Sequence, residues 1–173
     1  MRNGAKEVAI IGTFLALLLA SQFALSAAVG VEIVTVMFLA FCYCFGVKRG
    51  VILAYSFSSL RCVIFGFFPA VVILYFIYYP LFAVVIGAIG NSLRRKFSFK
   101  ILLLLVAVSL VLTVCFTMLD NIITPLVFRF DLTTTQSYFV ASTSVMLIQL
   151  ISVAVSTAVL FPPLHHSLVS LRK

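Results

Sequence analysis

The chain has 173 residues, is 64% hydrophobic and 9% charged, and carries a formal net charge of +8 with a mean hydropathy of +1.30. So little charge cannot cover the surface of a soluble domain, so the composition reads as an integral membrane protein. A nucleic-acid role is excluded by distribution: the basic residues sit in short clusters between apolar runs, where the positive-inside rule places them.

The first apolar run, Val8 to Val31, holds 24 residues without a charge. A helix rising ~1.5 Å per residue carries such a run across a hydrocarbon core of about 30 Å. Gly12, Ala16 and Ala20 recur at every fourth position and stack on one face of it. In lipid a stripe of small residues lets another backbone approach closely, either within the chain or from a different protein. Arg2 and Lys6 ahead of the run imitate a signal peptide, but its length and the spans that follow mark it as retained.

Span 1 is expected over 8–28, and a polar break at Gly30–Glu32 leads into a short, aromatic span 2 over 33–46. Lys48-Arg49-Gly50 is expected to make the next turn, and span 3, over 51–64, meets Arg61 after about three turns. Phe65-Gly66-Phe67-Phe68-Pro69 reads as a tight reversal. Span 4 covers 70–89 with a kink expected at Pro80, and span 5 covers 101–119. The longest connection, Asp120 to about Gln136, is the expected lid. Thr133 to Gln136 fits a capping box for span 6, over 137–160, which Pro162-Pro163 should stop. With the N-terminus inside, ten of the twelve basic residues fall on the cytoplasmic side, leaving Arg61 and Arg129 outside with Glu32, Asp120 and Asp131. That split gives a single six-helix, all-α transmembrane domain with both termini inside.

No catalytic constellation is present. His165 and His166 lie in the tail, where solvation at the membrane interface is the simpler role, although a small lipid-modifying enzyme would need them. Cys42, Cys44, Cys62 and Cys115 lie in or at the ends of apolar runs and read as reduced thiols without a metal. The sequence contains neither a G-x-x-x-x-G-K-[ST] nor a G-x-G-x-x-G pattern, so any ATP-driven activity would use partner ATPases.

The informative charges are on the outer side. Arg61 interrupts an apolar run, which costs ~2.5 kcal/mol or more unless it snorkels, pairs or lines a wet cavity. Glu32, Asp120, Asn121, Arg129 and Asp131 fall on the same side, and together with Arg61 they read as the polar part of a pocket, to which Gln22 could add hydrogen bonds. Phe65, Phe67, Phe68, Tyr75, Tyr78 and Tyr79 are candidates for its aromatic part, or for an interfacial belt. Ser144, Ser152 and Ser156, with Gln149 nearby, read as a polar stripe that joins spans.

A basic-inside chain of this size, with the A-x-x-x-A pattern of Ala16 and Ala20 in its first span, resembles the substrate-binding S components of energy-coupling factor vitamin transporters. The resemblance implies a non-catalytic subunit of the bacterial cell membrane that captures a vitamin from outside and then topples onto a transmembrane coupling subunit. Two cytoplasmic ATPases, using ATP and Mg, would drive delivery. It also implies that Gly12, Ala16 and Ala20 are the docking face and the outer polar cluster the binding site. The short second and third spans and the Phe-rich third loop are most similar to lactobacillal members assigned to cobalamin. Queuosine precursor, folate, pantothenate and pyridoxine are the alternatives within the family. A stand-alone secondary carrier, or a structural subunit without a ligand, are the alternatives outside it.

Overall fold

The computed structural model describes residues 2–25 and 32–172, and all regular structure in them is helical: α1 (Arg2–Ala24), α2 (Ile33–Phe45), α3 (Val47–Phe65), α4 (Pro69–Ser92), α5 (Phe99–Phe128) and α6 (Leu132–Arg172). The expected end of span 1 (26–28), Gly30 and Lys173 lie outside the described residues. Among the described residues four helices are long and apolar enough to cross a membrane, over Gly4–Ala24, Pro69–Ser92, Phe99–Phe128 and Leu132–Leu171.

The shorter α2 is the centre of the bundle. Ten of its 13 residues are buried, because a helix that is apolar all round has no face to give to water. It packs against α1, α3, α4 and α6. Phe38 meets Tyr79 and Phe82 of α4 edge-on at 5.2 and 5.6 Å, Phe41 lies 4.8 Å from Phe14 of α1, and Tyr43 meets Phe161 of α6 at 5.6 Å.

The turn expected at Lys48-Arg49-Gly50 lies earlier. Gly46 alone reverses the chain at φ +84°, a conformation that side chains disfavour, and Lys48, Arg49 and Gly50 form the first turn of α3. The reversal is pressed onto α4 at two glycines. A Cβ on Gly87 would come within 2.6 Å of the Val47 nitrogen, and one on Gly90 would collide with the Tyr43 carbonyl oxygen. The Tyr43 hydroxyl donates to the Lys96 carbonyl at 2.6 Å, closing the same end. Beside it, Arg49 pairs with Glu7 at 2.6 Å and ties α3 to α1.

The reversal expected at Phe65 to Pro69 is present: Gly66 sits at φ +97°, and Pro69 opens α4, which then runs through Pro80. The last two connections differ from expectation. α5 continues to Phe128, with the Thr124 hydroxyl bonded to Asp120 one turn earlier at 2.7 Å, and α6 begins at Leu132. The expected 17-residue lid is therefore helix, apart from the short link through Arg129, Phe130 and Asp131. Pro162-Pro163 does not stop α6 either, which continues to Arg172. Phe161 is fully buried against Tyr43, and His165 bonds to the Arg95 carbonyl at 3.1 Å, so contacts on both sides of the prolines hold the helix together.

Gly90→Ala should destabilise the bundle by about 1–3 kcal/mol, since the neighbour is backbone and cannot rotate away. Gly12→Ala, with nothing within 4 Å of the added carbon, should be neutral. Thermal unfolding of the detergent-purified variants compares the two.

Candidate functional site

A cavity of about 390 Å³ opens inside the bundle, with residues from every helix in its wall. Gln22 comes from α1, Thr35 from α2, Arg61 and Phe65 from α3, Tyr75, Tyr78 and Tyr79 from α4, Thr113 and Phe116 from α5, and Gln149 from α6. Glu32, just ahead of α2, completes it. The three tyrosines stand at i, i+3 and i+4, so α4 presents them on one face.

Arg61 lies four residues before the end of α3, its guanidinium carbon 4.5 Å from the centre of the Tyr75 ring and 5.5 Å from that of Phe65. Cation–π contacts of this kind contribute ~0.5–2 kcal/mol, the larger figure where water is excluded. Two guanidinium nitrogens, Nε and Nη1, are buried without a hydrogen-bond partner. Among the described residues the ion pair within 4 Å is that of Arg49 with Glu7, and Arg61 has no carboxylate at that distance. Gln22 donates to the Tyr75 hydroxyl at 3.3 Å, and its own Oε1 is buried and unpartnered.

Glu32 is held by its backbone. Its amide donates to Ser152 Oγ at 2.9 Å, and its carbonyl accepts from Ser156 Oγ at 3.1 Å, both from α6. The Thr35 hydroxyl donates to the carboxylate at 2.5 Å. Burial pushes the Glu32 carboxyl above the usual carboxylate range, and the Thr35 bond opposes this in part.

Of the residues read from sequence as pocket candidates, Arg61, Glu32, Gln22, Phe65, Tyr75, Tyr78 and Tyr79 line the cavity. Asp120 lines a neighbouring groove of about 290 Å³ between α5 and α6, which shares Phe116 and Gln149 with the cavity. Its carboxylate accepts from Tyr138 at 2.6 Å and from Thr124, so its oxygens are occupied within the hairpin. Asn121 is buried beside that groove, its Oδ1 accepting from Ser142 at 2.6 Å and its Nδ2 unpartnered. Arg129 and Asp131 are elsewhere. Arg129 is the left-handed C-cap of α5, at φ +51°. Asp131 caps α6, accepting from the Thr133 hydroxyl and from the Thr134 amide at 3.2 Å, so it takes the role expected of the Thr133 box. Phe67 and Phe68 face outward, 75% and 56% exposed, because the tight reversal at Gly66 turns them away from the bundle.

Sequence reasoning missed Thr35, Thr113 and Phe116. A signal for Thr113 was present, in the polar residues at every fourth position of α5: Ser109, Thr113 and Thr117 are buried and bond back along the helix. Ser144, expected with Ser152 and Ser156 to join spans, bonds only to its own helix, at the Val140 carbonyl. Gly12, Ala16 and Ala20 are all exposed.

Compared with known protein families, curated proteins and solved structures, the chain has no match.

The Thr133 hydroxyl, followed by the Thr134 groups, holds the Asp131 carboxyl below the usual carboxylate range. Its cap is therefore fully present above the unfolded value of about 3.9 and is lost as the pH falls through the lower folded value. Asp131→Ala should remove the cap at every pH, so amide exchange at Thr134 should be faster in the variant at neutral pH, with the amides around Tyr75 unchanged.

Proposed function

We propose that this chain is the substrate-binding subunit of an energy-coupling factor type vitamin importer of the bacterial cell membrane. The observation that carries the reading is the cavity, to which every helix contributes and in which Arg61 and Gln22 hold buried polar atoms without partners. Among apolar helices, unpartnered polar atoms are costly, and a bound solute would satisfy them. In this reading α2 and α3 complete six traverses with both termini inside. The contacts of Arg49 with Glu7, Tyr43 with Lys96 and His165 with Arg95 support it, since they gather residues expected on the cytoplasmic side at one end.

The exposure of Gly12, Ala16 and Ala20 supports the second half of the proposal. A stripe that packed within the chain would be covered by it. Free, it offers a close-approach surface to a transmembrane coupling subunit, whose two ATPases would consume ATP with Mg. This chain would bind and hand over the solute without catalysing a reaction. The cavity lies toward the small end of the ~300–1,000 Å³ usual for ligand sites, which favours the smaller micronutrients over a corrinoid.

Mild-detergent purification from the native host tests the assembly. A coupling subunit and ATPases should co-purify with the wild-type chain, and Ala16→Trp should abolish co-purification and uptake while leaving the melting temperature of the isolated chain near wild type. Solute transport by the purified chain alone in proteoliposomes would contradict the proposal and favour a secondary carrier.

A further inference from the structure

We infer that the ligand of this cavity is a small ring compound carrying a carboxylate or phosphate group that Arg61 recognises. The inference rests on the cavity being the solute site proposed above and goes on to name the chemistry it selects. A guanidinium is charged at any accessible pH and offers five N–H donors in a fixed fork. Arg61 makes its π contacts with Tyr75 and Phe65 and lines the cavity beside them. Nε and Nη1 are buried and make no hydrogen bond, so neither snorkelling nor an internal carboxylate accounts for their position. An anionic oxygen donated by a ligand would meet both needs, since charge-assisted bonds to a guanidinium are about twice as strong as neutral ones.

The neighbouring groups narrow the class. Gln22, bonded to the hydroxyl of the Tyr75 whose ring Arg61 stacks on, lines the same cavity and carries a buried, unpartnered acceptor. Glu32 lines the cavity without pairing to Arg61, so it disfavours an anion on its side and accepts from a donor there. Phe116 meets Tyr78 and Tyr75 edge-on, at 4.8 and 6.2 Å, forming an aromatic wall beside these polar groups. The complementary solute has an anionic edge for Arg61, N–H or O–H donors for Gln22 and Glu32, and an apolar ring between them.

Matched pairs of acid and neutral compound test this: 4-aminobenzoate against 4-aminobenzamide, and pyridoxine 5′-phosphate against pyridoxine. Each is titrated into the purified full chain, with binding read as a rise in melting temperature. At least one acid should bind more tightly than its neutral partner. Arg61→Gln should weaken that acid by at least about tenfold and leave the neutral compound unchanged, with Arg61→Lys intermediate because it keeps the charge but loses the fork. Should Arg61→Gln not fold, Gln22→Leu and the wild-type pairs carry the test, the former weakening both members of a pair. Equal binding of acid and neutral partner, or undiminished acid binding by Arg61→Gln, would overturn the inference while leaving the transport subunit proposal intact. Failure of every acid to bind would also overturn it, and co-purification with ATPases would then judge the broader proposal separately.

Discussion

The packing of the α2–α3 reversal onto α4 is the constraint on which the rest of the bundle depends. Gly46 turns the chain in one residue, and Gly87 and Gly90 let that turn lie against α4 at backbone distance. Without the close approach α2 could not be enclosed, and its largely apolar 13 residues would have no partner for several of their faces. In lipid, where apolar surface alone drives little association, such contact between small residues supplies much of the packing attraction. The aromatic contacts of Phe38, Phe41 and Tyr43 then fix the azimuth of α2 against α4, α1 and α6.

The cavity follows from the same geometry. At 13 residues α2 rises ~20 Å, short of a hydrocarbon core of about 30 Å. Glu32, Val34 and Thr35 at its start therefore form part of a cavity wall, and the longer α4, α5 and α6 supply the remainder with α1 and α3. Arg61 sits where two opposing effects meet. Removal from water penalises its charge by several kcal/mol, while stacking on Tyr75 and Phe65 returns only ~0.5–2 kcal/mol each. The residual imbalance is what makes it the most informative side chain in the protein.

The sequence made the helical architecture and the first four apolar runs readable, because length and hydropathy are sufficient for that. It misled at Lys48-Arg49-Gly50, where the basic cluster forms the first turn of α3 rather than a loop, and one glycine makes the turn. It misled again from Asp120 to Gln136, where polar residues form a helical hairpin: Asp120 is satisfied by Thr124 and Tyr138, and Asp131 by Thr133 and Thr134. Two prolines did not stop α6: Phe161, buried against Tyr43, and His165, bonded to the Arg95 carbonyl, hold the helix on both sides of them. Arg61, Glu32 and Tyr75 were legible as cavity residues, the first two as charges beside apolar runs. Thr35 and Phe116 were not, since nothing but the tertiary fold distinguishes them from other residues of their kind.

The central claim, that the cavity exists to hold a small solute, is tested most directly by native mass spectrometry of the chain purified gently from its own membrane. The account predicts one small organic molecule per chain, retained through detergent removal and released on unfolding. A chain that carries only lipid, even after incubation with concentrated growth medium, would contradict it.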